Sequence, residues 1–108
     1  YKYFFDMRTE YEYHQIFGAT WSWLNAAIKA TEKMVKKSEA GKVKIPVLLF
    51  QAETDSLVRN DRQMEFASKA ENVNVVMCPY AHHEIFNSPD AVANAYWVTV
   101  FDFLDGLL

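Results

Sequence analysis

The residues of this chain best suited to moving protons are Asp55 and the adjacent pair His82 and His83. A carboxylate that accepts a hydrogen bond from one imidazole nitrogen fixes the tautomer, so the other nitrogen can take a proton from a nucleophile. Both positions follow apolar runs that read as strands. Asp55 stands three residues past Ala52, and the histidines stand four and five past Cys78. In open α/β sheets, ligands bind just beyond the carboxyl ends of the strands. If the two strands are neighbours, an aspartate and a histidine meet at one sheet edge. Spacing alone leaves plainer roles open. An Asp after a strand is ordinarily a turn former or a cap, and a loop histidine is ordinarily solvated.

Other chemistries fit less well. Glu53, Asp55, His82 and His83 are metal-ligating types, but His-His-Glu is not the helical H-E-x-x-H arrangement. Cys78 could serve as a nucleophile with His83, yet it ends an apolar strand, where cysteine is most often a small buried hydrophobe. A single cysteine excludes a disulfide framework and any multi-Cys metal site. The three glycines, Gly18, Gly41 and Gly106, cannot build a Gly-rich phosphate loop. Eleven basic residues, scattered among 14 acidic ones for a net charge of −3, argue against a nucleic-acid partner. No apolar run approaches the roughly 20 residues needed to span a bilayer. Tyr1-Lys2-Tyr3-Phe4-Phe5 lacks the basic start and small-residue cleavage site of a signal peptide. These features set the expectation of a cytoplasmic protein, with peripheral membrane contact left open. The first residue is not Met, so the expectation is also that the chain begins inside something longer.

The elements that must position these residues can be read from periodicity. With 51% hydrophobic and 23% charged residues, the 108-residue chain is built to fold rather than to stay disordered. Tyr1 to Tyr13 is dense in aromatics and predicts a helix, and residues 16–19 predict a turn. Thr20 is a plausible N-cap for a helix reaching about Lys37. Its apolar residues fall on two adjacent lines: Trp21, Leu24, Ile28 and Val35, then Trp23, Ala27, Ala30 and Met34. A polar linker, Ser38 to Lys44, follows. The continuous apolar run Pro46 to Ala52 reads as a parallel strand buried on both faces. Asn60 or Asp61 can cap a helix to about Ala70, and Val73 to Cys78 is a second strand. Ser88-Pro89-Asp90 starts the last helix, which runs to about Asp105. That helix is expected to bury Val92, Tyr96, Val100 and Phe103, with Trp97, Phe101 and Leu104 beside them.

The fold class is therefore α/β, with two parallel strands alternating with helices. Two strands are too few to cover their own edges. The expectation is that they complete a larger sheet, supplied by upstream residues or by another chain.

A resemblance sharpens this reading. Ile45-Pro-Val-Leu-Leu-Phe-Gln-Ala-Glu-Thr-Asp-Ser-Leu-Val resembles the acid-bearing strand and loop of the lysophospholipase and monoacylglycerol lipase branch of the α/β-hydrolase superfamily. Ala81-His82-His83-Glu84-Ile85-Phe86-Asn87 resembles that branch's histidine loop, and Gly18-Ala19-Thr20-Trp21-Ser22-Trp23-Leu24 resembles the lead-in to its last cap helix. The likeness covers nearly the whole chain, as the C-terminal portion of the family. It implies that residues 1–38 end the helical cap and that residues 39–108 are the strand-helix-strand-helix end of the hydrolase core. It also implies Asp55 and His83 as catalytic residues, because Glu and an aliphatic residue follow His83, while His82 fills the preceding variable place. Glu84 would brace the loop. Trp21 and Trp23 could line an acyl-chain pocket, although helix packing is the plainer role for each. The implied substrate is a monoacyl lipid, with no cofactor and no metal.

One departure matters. The family's nucleophile sits in Gly-x-Ser-x-Gly, and this sequence has no such motif. Ser22, Ser38, Ser56, Ser68 and Ser88 fit helix, linker or cap roles. The resemblance then implies an enzyme whose serine lies upstream, this chain being inactive by itself. The implied partners are the missing N-terminal half of the same protein or a second copy of the chain. Two alternatives stay open. One is a non-catalytic fragment or degenerate hydrolase module that acts through self-association or a partner. The other is a different α/β-hydrolase, such as a carboxylesterase or an aminopeptidase.

Overall fold

The computed structural model describes residues 2–11 and 18–107. The chain divides into two compact units, residues 1–30 and 31–108.

In the first unit, helix α1 spans Lys2–Thr9. The rest of the expected Tyr1–Tyr13 helix lies partly outside the described residues, as do Ile16 and Phe17 of the expected turn. Gly18 takes φ +126°, a backbone region that L side chains rarely enter. Thr20 then caps helix α2, Trp21–Met34: its hydroxyl accepts the Trp23 N–H at 3.2 Å. The two apolar lines on α2 are present but largely exposed. No residue of the helix is buried, and Trp21, Trp23, Leu24 and Ile28 are all exposed.

The second unit holds the sheet. The expected linker contains a further short helix, α3, Lys37–Ala40. Just past the end of α2 the Val35 carbonyl, left without an intrahelical partner, accepts the Lys69 ammonium at 2.8 Å, and Ala40 is buried. Gly41 follows in close quarters, since a Cβ there would stand 2.8 Å from the Lys37 carbonyl oxygen.

Strands β1, Val47–Ala52, and β2, Val73–Cys78, pair in parallel with Val47 opposite Val73 and Ala52 opposite Cys78. Helix α4, Asn60–Ala67, connects them. Neither Asn60 nor Asp61 caps it. Asn60 lies inside the helix and donates its amide to the Ala52 carbonyl at 2.9 Å, while Asp61 pairs with Arg59. Val47 and Glu53 both donate their N–H groups to carbonyls of the β2 chain. By strand parity, residues 48, 50 and 52 present their backbone groups to the opposite edge. There the carbonyls of Phe50 and Ala52 are met by the side-chain amides of Gln63 and Asn60.

Beyond β2, a 3-10 turn at Ile85–Asn87 leads to helix α5, Asp90–Asp105. The helix begins one residue later than expected, because Pro89 occupies the N-cap position and Ser88 gives no side-chain cap. Among the described residues, Ala52, Cys78, Ala81 and Ile85 form a small buried cluster, with Phe50, Val92 and Tyr96 against it. Val92, Tyr96, Val100 and Phe103 form the inner face of α5 but are half-buried rather than buried, and Trp97, Phe101 and Leu104 are exposed. The first four residues of β1 are likewise half-buried, not enclosed on both faces. One two-stranded sheet and one helix do not supply enough surface to cover each other.

Candidate functional site

The site lies at the carboxyl ends of β1 and β2, where the two following loops run side by side. Parallel pairing in register delivers both loops to the same edge. The ladder continues past the strands: the Glu53 N–H donates to the Cys78 carbonyl at 3.1 Å. One residue on, the Ala81 carbonyl accepts both the Thr54 N–H, at 3.1 Å, and the Thr54 hydroxyl, at 2.9 Å. The Glu53 carboxylate accepts the Tyr80 N–H at 2.8 Å. His82 Nδ1 lies 3.2 Å from the Thr54 carbonyl, which it can meet only as a donor.

This lacing brings Asp55 and His83 together. His83 Nδ1 is 3.0 Å from Asp55 Oδ2. Asp55 uses its other oxygen locally: Oδ1 accepts the N–H groups of Leu57, at 2.8 Å, and Val58, at 2.9 Å. That turn locks the carboxylate plane and leaves Oδ2 facing the imidazole. The Asp55 side chain is only 5% exposed, whereas that of His83 is 42% exposed. The carboxylate is thus enclosed behind an accessible imidazole. Burial pushes the Asp55 carboxyl up, but hydrogen bonds from Val58, His83 and Leu57 together outweigh it and hold the group below its ordinary value.

With Nδ1 committed to a carboxylate, Nε2 becomes the nitrogen that can exchange protons. The loop is pegged on both flanks, since Ala81 and Ile85 are buried on either side of the histidine pair. Glu84 joins this bracing: its carboxylate accepts the Asn87 amide at 2.7 Å, and its carbonyl accepts the Asn87 N–H at 2.9 Å.

The sequence matches the family model described as Serine aminopeptidase, S33, over residues 7–90. That stretch includes Asp55, His82 and His83. The chain belongs to this family of α/β-hydrolases. No curated protein and no solved structure matches it. Two parallel strands alternating with helices are the part of the α/β-hydrolase fold visible here, and the family is hydrolytic.

The remaining candidates fall elsewhere. Trp21 and Trp23 sit on the first turn of α2 and are exposed, Trp21 by 87%, so they are not in the core that plain helix packing would give them. Cys78 is buried at the strand end, and burial pushes its thiol up, which disfavours the thiolate a nucleophile needs. Among the described residues, no three His, Cys, Asp or Glu side chains are grouped so as to hold a metal ion. None of the described helices is long and apolar enough to cross a membrane. Sequence reasoning missed Glu53, Thr54 and Tyr80 as the residues that tie the two loops together. The signal available was a polar Glu-Thr pair placed directly at a strand end.

Proposed function

We propose that Asp55 and His83 are the acid and base of a serine hydrolase whose nucleophilic serine lies upstream of this chain. The observation that carries the reading is the 3.0 Å approach of His83 Nδ1 to Asp55 Oδ2 at the carboxyl edge of the parallel sheet. In this mechanism, His83 Nε2 takes the proton of the serine as it attacks the substrate carbonyl, then returns it to the leaving group. Asp55 holds the productive tautomer and stabilises the imidazolium without taking the proton itself.

Residues 1–38 form the end of a helical cap in this reading, and residues 39–108 the C-terminal part of the core. The sheet continues beyond β1 into the upstream portion. Its support is the edge at residues 48, 50 and 52, where side-chain amides of α4 rather than a neighbouring strand meet the carbonyls of Phe50 and Ala52. The buried oxygens Asn60 Oδ1 and Gln63 Oε1 there have no partner among the described residues.

The substrate we propose is the carboxylic ester of a monoacyl lipid, a lysophospholipid or monoacylglycerol, cleaved through an acyl-serine intermediate. The resemblance over residues 45–58 and 81–87 supports this, and the exposed Trp21, Trp23, Leu24 and Ile28 suit contact with an acyl chain. Such a substrate also fits a cytoplasmic enzyme with peripheral membrane contact. The family description favours a second reading, an aminopeptidase acting on an amide bond. Turnover of monoacylglycerol, lysophospholipid and proline-peptide substrates by the complete protein separates the two. Ester cleavage exceeding peptide cleavage is expected, and the reverse order overturns the lipid assignment.

A further inference from the structure

The four residues between β2 and His83 set where that histidine lands, and one of them adopts an unfavourable backbone. Tyr80 has φ 61°, in the left-handed region that a bulky L residue rarely enters. Its side chain gives no reason for this, because Tyr80 is 81% exposed. Pro79, just before it, has no N–H to donate. The turn is closed by the Ala81 N–H on the Cys78 carbonyl at 3.4 Å, and the Tyr80 N–H adds a tie to the neighbouring loop by donating to Glu53 Oε2 at 2.8 Å. Glu53 is well placed to accept it. Its own N–H is fixed to the Cys78 carbonyl, so its backbone is part of the ladder and its carboxylate reaches across to the neighbouring loop. The turn then drops Ala81 into the core, with its carbonyl on Thr54, and carries His83 to Asp55.

We propose that Glu53 is a positioning residue for His83: by accepting the Tyr80 N–H, it helps hold the left-handed turn that aims the imidazole at Asp55. This rests on the Asp55–His83 reading above. Glu53 itself touches neither the imidazole nor the reacting atoms. Its effect passes through backbone geometry, so any acceptor of similar reach should replace it, and a residue at position 80 that adopts positive φ freely should make it less necessary.

The test is made in the complete enzyme with a p-nitrophenyl ester as probe. Glu53→Ala is expected to lower kcat by about ten- to a hundredfold, the scale of a misplaced catalytic group, with KM little changed. Glu53→Gln keeps an acceptor oxygen and should retain most of the activity. The double variant Glu53→Ala/Tyr80→Gly should recover most of what Glu53→Ala loses. Equal losses in Glu53→Ala and Glu53→Gln, or no recovery in the double variant, would overturn the proposal. Asp55→Asn is run alongside: if it abolishes turnover while Glu53→Ala is fully active, the positioning role fails and the acid–base pair stands. If Asp55→Asn is fully active, the pair itself fails. Should Glu53→Ala not fold, amide hydrogen exchange in the unmutated protein decides. A protected Tyr80 N–H supports the proposal, and one exchanging at the rate of an open loop contradicts it.

Discussion

Asp55 presents one carboxylate oxygen to the N–H groups of Leu57 and Val58 and the other to His83 Nδ1, 3.0 Å away. The two halves of the carboxylate therefore have separable jobs, one structural and one directed at the imidazole. The Asp55 carboxylate is nearly enclosed beside a partly exposed imidazole, so in the proposed reading it acts through the histidine rather than on substrate directly.

That division predicts different outcomes for two substitutions at one position. Asp55→Asn keeps an oxygen for the Leu57 and Val58 amides and should lose only the stability that ionisation of the carboxyl adds. Asp55→Ala removes the acceptor of both amides, which water can partly replace, and should cost about 1 kcal/mol. Urea denaturation of the two variants checks this; equal losses would mean that the turn does not depend on Oδ1.

The depressed Asp55 carboxyl has a sign that can be followed. A carboxylate held below its ordinary value contributes stability that is complete above about pH 4 and is lost as pH falls through the folded-state value. Glu39, Asp61 and Glu65 are lowered by ion-pair hydrogen bonds and act in the same direction. The Asp55 share is therefore read as a difference. Between pH 5 and pH 2, unfolding free energy should fall less steeply in Asp55→Asn than in the parent, and parallel curves would contradict it.

The neighbouring histidine serves as a control. His82 Nδ1 faces a backbone carbonyl rather than a carboxylate. His82→Ala should leave turnover of the complete enzyme within a few-fold, while His83→Ala removes most of it. A larger loss at position 82 would show that the wrong imidazole has been assigned the base.

Cys78 should behave as a packed side chain. It is 6% exposed, and burial pushes its thiol up. Alkylation by iodoacetamide at neutral pH should be slow in the folded protein and fast in urea. Rapid labelling under native conditions would mean that the strand end is open.

How far these features are legible in the sequence differs by element. β1 and β2 are plain because apolar runs of strand length are bounded by Pro46 and the Glu53-Thr54 pair, and by Asn72 and Pro79. The meeting of Asp55 and His83 follows from parallel order, since each loop leaves the same end of its strand. Burial is not legible in the same way. The spacing on α2 and α5 marks which residues are apolar, but what covers them depends on surface outside those helices. Helix α3 is a single turn of four residues inside a polar stretch, too short to show a periodicity. Pro79 marks the turn, but Tyr80 is not a residue type that announces positive φ.

The central claim, that Asp55 and His83 act as one acid–base unit, is tested most directly by a double-mutant cycle on kcat in the complete enzyme. Asp55→Asn and His83→Ala should each lower kcat by about three orders of magnitude or more, and the double variant should lose little beyond either single one, as members of a catalytic unit do. Losses that simply multiply, or near-parental kcat in either single variant, would contradict the account.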